Sequence, residues 1–178
     1  SIEEVAKEKM KQAIPYLPGE SDALFVEDAG LFVDALNDFP GVYSSYVLRT
    51  IGCQGLIRLL QHLRSEDPNA DSRLRKARFE AVSGVYFQGK MEFFNGTCPG
   101  KISHKEFGEN GFGFDPIFVP SDLDIDGYPA KSGDIGIIST HGETFGQISS
   151  DAKEKYSHRA KAVNKAISWL ENQREHHK

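Results

Sequence analysis

The stretch Ala23-Leu24-Phe25-Val26-Glu27-Asp28-Ala29-Gly30-Leu31 places two carboxylates directly after a short apolar run. The apolar run predicts a buried strand over residues 23–26, and strand ends in α/β folds are where ligand clefts form. Because neighbouring side chains of an extended chain point to opposite faces, one carboxylate reaches a given cleft while the other binds structure or a second ligand. The alternative is a solvated acidic turn that Gly30 closes.

Helical patterns lie before and after this stretch. Ser1 and Glu4 form a capping-box pattern at the start of a helix that Pro15 ends. A leucine-rich stripe predicts a second helix over residues 54–64. Apolar residues at steps of three and four predict a last helix, whose apolar face contains Ala160, Val163, Ile167 and Leu170.

Strand patterns lie between the second helix and the last one. They cover residues 79–87 and 91–94, joined near Gly89, with further sheet around residues 117–119. Helices at the start, middle and end of the chain with strands between them predict a mixed α/β fold. The length of 178 residues and the hydrophobic content of 39% favour a single domain over residues 1–178.

The overall composition excludes several classes of partner. With 21 Lys+Arg against 26 Asp+Glu, the net charge of −5 has the wrong sign for binding DNA or an anionic membrane through bulk electrostatics. Cys53 and Cys98 stand far apart, which argues against a zinc site or a disulfide scaffold. No apolar run reaches roughly 18 residues and no targeting signal is present, so we expect a cytoplasmic protein without membrane or nucleic-acid partners.

A net-negative protein needs a local basic cluster to hold an anionic ligand. Lys9 shares a helical face with apolar residues, so it either reaches past them to the surface or points into an anion site. Ser157, His158 and Arg159 offer hydrogen-bond donors of three geometries, and Lys153 adds positive charge just upstream. The alternative for this group is a helix start with a solvated basic face. Adjacent Ser and His do not form a hydrolytic triad.

A second candidate segment is Gly111-Phe112-Gly113-Phe114-Asp115-Pro116. Its two aromatic rings on one side of an extended segment predict a surface on which a flat ligand stacks, although we expect at least one ring to belong to the core. Pro116 favours an extended backbone at Asp115, which sets the direction of that carboxylate.

Two polar segments are predicted to be surface insertions. Residues 65–76 have little apolar content and predict an exposed loop. Residues 121–143 contain an Asp-rich opening similar to an EF-hand loop, but position twelve is Gly133, so calcium binding is not expected.

Four motifs together resemble the inosine triphosphate pyrophosphatase (Ham-type) family. In order, they are Val26-Glu27-Asp28-Ala29-Gly30-Leu31, Phe39-Pro40-Gly41-Val42-Tyr43-Ser44, Gly111-Phe112-Gly113-Phe114-Asp115-Pro116 and Ser157-His158-Arg159-Ala160. The resemblance implies an elongated two-lobed α/β fold around a central mixed sheet, with a nucleotide cleft, and a homodimer. It also implies Mg²⁺-dependent hydrolysis of deaminated purine nucleoside triphosphates (ITP, dITP, XTP) to the monophosphate and pyrophosphate, which cleanses the nucleotide pool.

The resemblance assigns roles to individual residues. Asp28 resembles the metal-binding carboxylate that activates water for attack at the α-phosphorus, with Glu27 beside it at the metal. Lys9 and Lys153 resemble triphosphate-binding lysines. The remaining substrate-binding positions are the stacking segment Phe112, Gly113 and Phe114, and the base-reading groups Asp115, Ser157, His158 and Arg159.

Elementary chemistry is consistent with these roles. A triphosphate carries about four negative charges, which two lysines and Mg²⁺ would offset. Hypoxanthine and xanthine have a keto oxygen at C6, which accepts from a donor such as Arg159, whereas the amino group of adenine faces that donor with a second donor.

One departure from the family pattern leaves a second reading open. The family begins with a strand, a T-G-N-x-x-K phosphate loop and a helix that leads to a metal-binding glutamate, and the sequence contains no such segment. We therefore expect that this first segment is missing from the chain. A nucleotide-binding module or inactive partner subunit is the alternative function, and a generic α/β interaction domain is a third.

Overall fold

The computed structural model describes residues 1–19, 22–130 and 136–175. Within these residues the chain forms six α-helices and four β-strands. The helices are α1 (Ile2–Ala13), α2 (Ser44–Thr50), α3 (Gly52–Leu59), α4 (Pro68–Leu74), α5 (Ser150–Glu154) and α6 (His158–Glu175). The strands are β1 (Leu24–Val33), β2 (Lys76–Phe87), β3 (Lys90–Ile102) and β4 (Phe118–Pro120).

The four strands form one sheet in chain order, β1-β2-β3-β4. Residues 88–89 join β2 to β3 at the predicted turn, and β4 pairs antiparallel with β3, with Gly100 opposite Pro120. The predicted α/β class is confirmed. The predicted sheet is mixed, that is, with both parallel and antiparallel pairs of strands. Among the described strands the pairing is antiparallel, and no parallel pair occurs.

Strand β1 is longer than the sequence predicts. It continues from Leu24 through the acidic pair to Val33, so the prediction of a strand end before Glu27 is wrong, as is the alternative of a turn at Gly30. The physical reason is that the strand residues from Gly30 onward, after Glu27 and Asp28, are buried and that both carboxylates are neutralised. Leu31 and Val33 are fully buried and continue the strand, and each carboxylate has a cationic partner, so the pair does not force the chain out of the sheet.

The chain divides into two compact units. Unit 1 comprises residues 1–30, 80–97 and 157–178, and unit 2 comprises residues 31–79 and 98–156. Helices α1 and α6 belong to unit 1, whereas α2 to α5 belong to unit 2.

Helix α1 of unit 1 begins as predicted. The Ser1 hydroxyl accepts a hydrogen bond from the Glu4 backbone N–H at 3.2 Å, and the Glu4 carboxylate accepts from the Ser1 amino terminus, which completes the capping box. Ile2, Ala6 and Met10 form the buried face of the helix. The position of Lys9 next to Met10 therefore places its side chain at the edge of that face.

Helix α6 turns a different face to the interior than the sequence predicts. Its buried residues are His158, Ala162 and Ala166, whereas Ile167 of the predicted apolar face is 45% exposed. Small residues are needed there because the helix approaches β3 closely: a Cβ on Gly96 would lie 1.9 Å from the His158 carbonyl oxygen. Large apolar residues usually mark the buried face of a helix, but here the close approach of the two backbones requires small residues instead.

Unit 2 has a continuous apolar core. It is built from residues of all four strands, of α2 and α3, and of the segments on either side of β4 up to just after α5. Its members are Leu31, Val33, Val47, Leu56, Leu60, Ala77, Phe79, Cys98, Ile102, Phe114, Ile117, Phe118, Leu123, Phe145, Ile148 and Tyr156.

The segment 65–76 is not the exposed loop that the sequence predicts. Residues Pro68–Leu74 form helix α4, whose first turn is capped by the Asp67 carboxylate through the Asn69 N–H at 3.0 Å. At its end Arg75 is only 1% exposed, and its guanidinium donates to the carbonyls of Leu60, Leu63, Ile102 and Ser103 at 2.8 to 3.4 Å. A charged side chain is thus the link between α4, the end of α3 and the end of β3.

The predicted insertion at residues 121–143 is described only in part. Leu123 is buried in the unit 2 core and forms bridges with Pro129 and Ile138, so this residue is not on an exposed surface. Residues 131–135 of the predicted insertion lie outside the described residues.

Replacing Arg75 by Met should lower the free energy of unfolding by about 3–5 kcal/mol, because the buried carbonyls lose their donors. Urea unfolding followed by circular dichroism measures this. Arg73→Met, on the exposed face of the same helix, is the matched control and should stay within about 0.5 kcal/mol of the parent. Equal effects of the two variants would contradict the role of Arg75.

Candidate functional site

The acidic pair of β1 meets two different cations of unit 1. Lys9 Nζ of α1 lies 3.0 Å from Asp28 Oδ2, and Arg159 Nε of α6 lies 3.1 Å from Glu27 Oε1. Side chains alternate between the two faces of a strand, which explains why neighbouring carboxylates have partners on different helices. The structure therefore brings together four of the predicted site residues as two separate ion pairs.

The Lys9–Asp28 pair is partly open to solvent. The Lys9 side chain is 50% exposed and the Asp28 side chain 22% exposed, while Asp28 Oδ1 also accepts from the Ala29 N–H at 3.1 Å. The Lys9 ammonium leaves the apolar face of α1 and meets a carboxylate. A half-exposed ammonium beside a carboxylate can exchange partners at low cost, because solvent screens the pair.

The Ser157-His158-Arg159 group forms the start of α6. Ser157 Oγ accepts from the Ala160 N–H at 3.1 Å, so the serine acts as the helix cap. His158 is 8% exposed and faces the interior, whereas Arg159 is directed to Glu27 with 45% of its side chain exposed. Of the three predicted base-contacting residues in this group, the structure places only Arg159 on an exposed surface.

In unit 2, the second candidate segment forms a glycine turn rather than an extended strand. Gly111 and Gly113 both have positive φ, and they separate Phe112, which is 62% exposed, from Phe114, which is 4% exposed in the core. The expectation that one ring belongs to the core is confirmed. The expectation that both rings lie on one side is wrong, because the left-handed glycines reverse the chain between them.

Asp115 is the anchor of this turn. Its carboxylate is 3% exposed and accepts from the Phe112 N–H at 2.7 Å and from Lys153 Nζ at 2.5 Å. The predicted extended backbone is wrong here, since residues Asp115–Ile117 form a 3₁₀ turn with Pro116 at its start. Asp115 is thus directed into the turn, and Phe112 is held outward on top of it.

Lys153 lies beneath the exposed ring. Its ammonium is 4.7 Å from the Phe112 ring centroid and 5.2 Å from that of Phe145. A cation against an aromatic face and a buried carboxylate is held in one place. The family resemblance assigns Lys153 to the triphosphate, and within unit 2 its neighbours are Phe112, Phe145 and Asp115.

Cys53 is a neighbour of the glycine turn that the sequence did not identify. Its thiol donates to the Gly113 carbonyl at 3.4 Å, and it lies in the half-buried second residue of α3. Burial raises the pKa of the Cys53 thiol to about 11, and the negative charges of Glu106 and Asp115 act in the same direction. The thiol is therefore a protonated packing group that donates to the turn.

The motif at residues 39–44 supports the second half of β1. Ser44 Oγ accepts from the Leu31 N–H at 2.8 Å and donates to the Gly41 carbonyl at 2.7 Å. Pro40 forms a bridge with Phe32, and the Phe39–Pro40 peptide bond is cis. These contacts tie the motif to the second half of β1.

Two kinds of feature are absent from the described residues. Between residues 1 and 175, apart from 20–21 and 131–135, no cluster of three or more His, Cys, Asp and Glu side chains has the geometry to hold a metal ion. Over the same described part of the chain, none of the helices is long and apolar enough to span a bilayer.

Comparison with known proteins identifies similar chains. The sequence model described as the Ham1 family matches residues 1–169. The dITP/XTP pyrophosphatase of Thermococcus kodakarensis is 36% identical over 170 residues, which cover 96% of this chain and 76% of that protein. The protein of the same name from Pyrococcus horikoshii is 35% identical, with 94% of this chain and 78% of that protein covered.

Solved structures give the same result. The Staphylococcus aureus Ham1 protein superposes with a TM-score of 0.69 at 30% identity, covering 97% of this chain and 78% of that one. A Mycobacterium abscessus protein described as a nucleoside-triphosphatase and dITP/XTP pyrophosphatase superposes with a TM-score of 0.64 at 28% identity, covering 94% and 76%.

Replacing Gly111 by Ala should destabilise the protein more than replacing Gly142 by Ala. Both glycines have positive φ, which costs a side chain about 1–2 kcal/mol. Only at Gly111 would the added Cβ also collide with Asp115, 2.1 Å from Oδ2, whereas Gly142 has open space around it. Urea unfolding of the two variants measures the difference, and equal losses would show that Asp115 does not constrain the turn.

The thiol of Cys53 should react with iodoacetamide at pH 8 at least tenfold more slowly in the native protein than in denaturant, because the thiolate is the nucleophile and the native pKa is raised. The raised pKa contributes stability below the unfolded-state pKa, and this contribution is lost as the pH rises towards 11. Peptide mass spectrometry separates Cys53 from Cys98. A native rate equal to the denatured rate would contradict the burial.

Proposed function

Since this chain belongs to the Ham1 family, we propose that it hydrolyses deaminated purine nucleoside triphosphates, dITP, XTP and ITP, to the monophosphate and pyrophosphate. The observation that carries the proposal is the likeness over nearly the whole chain to proteins named dITP/XTP pyrophosphatase. The contacts of Asp28, Lys9, Phe112 and Arg159 support it.

Asp28 is the proposed catalytic residue. Its carboxylate accepts a proton from a water molecule whose oxygen forms a bond to the α-phosphorus. The bond from the α-phosphorus to the bridging oxygen breaks, and pyrophosphate leaves with the electron pair. A lysine ammonium 3.0 Å from the carboxylate supports this role, because a triphosphate with about four negative charges recruits Lys9 to its oxygens and so releases Asp28.

Mg²⁺ is the cofactor that the donor set fits. In nucleotide sites Mg²⁺ is bound through one or two carboxylates together with substrate phosphates rather than by an all-protein cage. Asp28 is such a carboxylate, partly exposed on β1, and this chemistry needs no cluster of three protein ligands. When bound, the ion would offset phosphate charge and polarise the α-phosphorus for attack.

Base recognition is assigned to an aromatic surface and a guanidinium. Phe112 presents a ring that is 62% exposed and fixed from below by Lys153 and Asp115, which suits stacking of a purine. Arg159 donates to the keto oxygen at C6 of hypoxanthine or xanthine. The amino group of adenine would leave this donor unsatisfied, at a cost of about 1–3 kcal/mol.

From membership of the family we also propose that the chain forms a homodimer and acts on the nucleotide pool of the cytoplasm. Size-exclusion chromatography with light scattering distinguishes the dimer from the 19.8 kDa monomer.

Incubation with Mg²⁺ and a panel of ITP, dITP, XTP, ATP and GTP tests the function. We expect pyrophosphate release from the three deaminated nucleotides and little turnover of ATP. Equal turnover of ATP and ITP, or release of orthophosphate, would contradict the proposal. Binding of ITP without hydrolysis would favour a nucleotide-binding module instead.

Replacing Asp28 by Asn should lower kcat for ITP at least a hundredfold, since a neutral amide cannot accept the proton of the attacking water. Binding of inosine monophosphate should change little, because the variant keeps the base-binding groups. Steady-state kinetics and calorimetry measure the two effects.

Asp126→Asn, in the exposed turn after β4, is the control and should keep the parent kcat. If Asp28→Asn retained the parent kcat as well, Asp28 would have no part in the chemistry.

A further inference from the structure

We propose that Glu27 is a positioning residue that holds the guanidinium of Arg159 in place, rather than a ligand of the metal. This inference rests on the proposed function. It starts from the 3.1 Å contact between Glu27 Oε1 and Arg159 Nε, which joins the middle of β1 to the first turn of α6 within unit 1.

The geometry of β1 separates the two carboxylates. Successive side chains of a strand project to opposite faces, and in this strand Asp28 meets Lys9 of α1 while Glu27 meets Arg159 of α6. One metal ion held by Asp28 would therefore not be reached by Glu27 without breaking the alternation of the strand. We therefore assign the two carboxylates different roles, Asp28 at the metal and Glu27 at Arg159.

Arg159 needs an anion for an electrostatic reason. It stands in the first turn of α6, where the N–H groups and the helix dipole produce partial positive charge that disfavours a cation. The Glu27 carboxylate, whose side chain is only 30% exposed, supplies the compensating negative charge. This makes the position of Arg159 dependent on a residue of the neighbouring strand.

The contact also orders a long side chain. An unrestrained arginine side chain samples many rotamers, and the loss of that freedom on ligand binding opposes binding. Because Glu27 forms an ion pair with Nε, it restrains the guanidinium next to β1. Glu27 thereby controls the base selectivity that Arg159 carries, without touching the nucleotide.

A double-mutant cycle tests this role. Glu27→Ala should raise KM for ITP about tenfold and reduce the preference for ITP over ATP, while kcat and the half-saturating Mg²⁺ concentration stay at the parent values. Arg159→Ala should have at least the same effect on KM. The double variant should be no worse than Arg159→Ala, because Glu27 acts through the arginine.

A second readout uses no metal and no turnover. Calorimetric titration with inosine monophosphate in EDTA should show about tenfold weaker binding for Glu27→Ala. Glu27→Asp, which keeps the charge on a shorter stem, should recover part of the affinity. If Glu27 instead bound the metal, Glu27→Ala would leave inosine monophosphate binding unchanged and would raise the half-saturating Mg²⁺ concentration. The effects of Glu27→Ala and Arg159→Ala on KM would then be additive in the double variant. Any of these results overturns the proposal.

The matched control is Glu3→Ala. Glu3 forms an exposed ion pair with Lys7 on α1. Glu3→Ala therefore also removes a glutamate and its ion pair from unit 1, but away from Arg159, and the KM for ITP should not change. Thermal unfolding confirms that each variant is folded, and Glu27→Gln replaces Glu27→Ala if the latter is not. Absence of ITP turnover by the parent defeats the proposed function alone, whereas absence of inosine monophosphate binding by the parent also defeats this inference.

Discussion

Two neighbouring carboxylates in the middle of a sheet strand have to be neutralised without leaving the strand, and the arrangement of unit 1 follows from that constraint. Alternation sends the two side chains to different faces, so one cation cannot serve both. Lys9 of α1 neutralises Asp28, and Arg159 of α6 neutralises Glu27. The two long helices of unit 1 are thus joined to one strand by the same residues that carry the proposed chemistry.

Unit 2 also contains a carboxylate that has to be neutralised, the buried side chain of Asp115. Asp115 is almost fully inaccessible, and it is tolerated because an N–H of the glycine turn and the ammonium of Lys153 both donate to it. The same contacts hold the Phe112 ring at the surface. In both units a carboxylate therefore organises its neighbours: in unit 1 it orders cations, and in unit 2 it orders an aromatic surface.

The sequence predicts some of these features well and others not at all. The capping box of α1, the turn near Gly89 and the core position of one aromatic ring follow from local rules, and the structure confirms them. The sequence predicts the end of β1 too early, because adjacent charges are expected to end a strand, whereas cations distant in sequence stabilise this one. Helix α4 had a signal, Asp67 followed by Pro68, but the polar composition of the segment concealed it. No pattern in the sequence indicates that Arg75 is buried, since its acceptors are carbonyls of residues far along the chain.

Gly96 has no functional group, yet the position of Arg159, the proposed base-reading residue, depends on it. The backbone of β3 at this residue lies against the His158 carbonyl and the Ala162 N–H, so the first turn of α6 rests directly on the strand. Any side chain there would lift that turn, and with it the guanidinium of Arg159, away from Glu27. If Arg159 reads the base as proposed, changes in nucleotide preference can therefore arise at a position without any polar side chain. A redesign of the proposed base contacts should then treat the spacing between β3 and α6 as one of its variables.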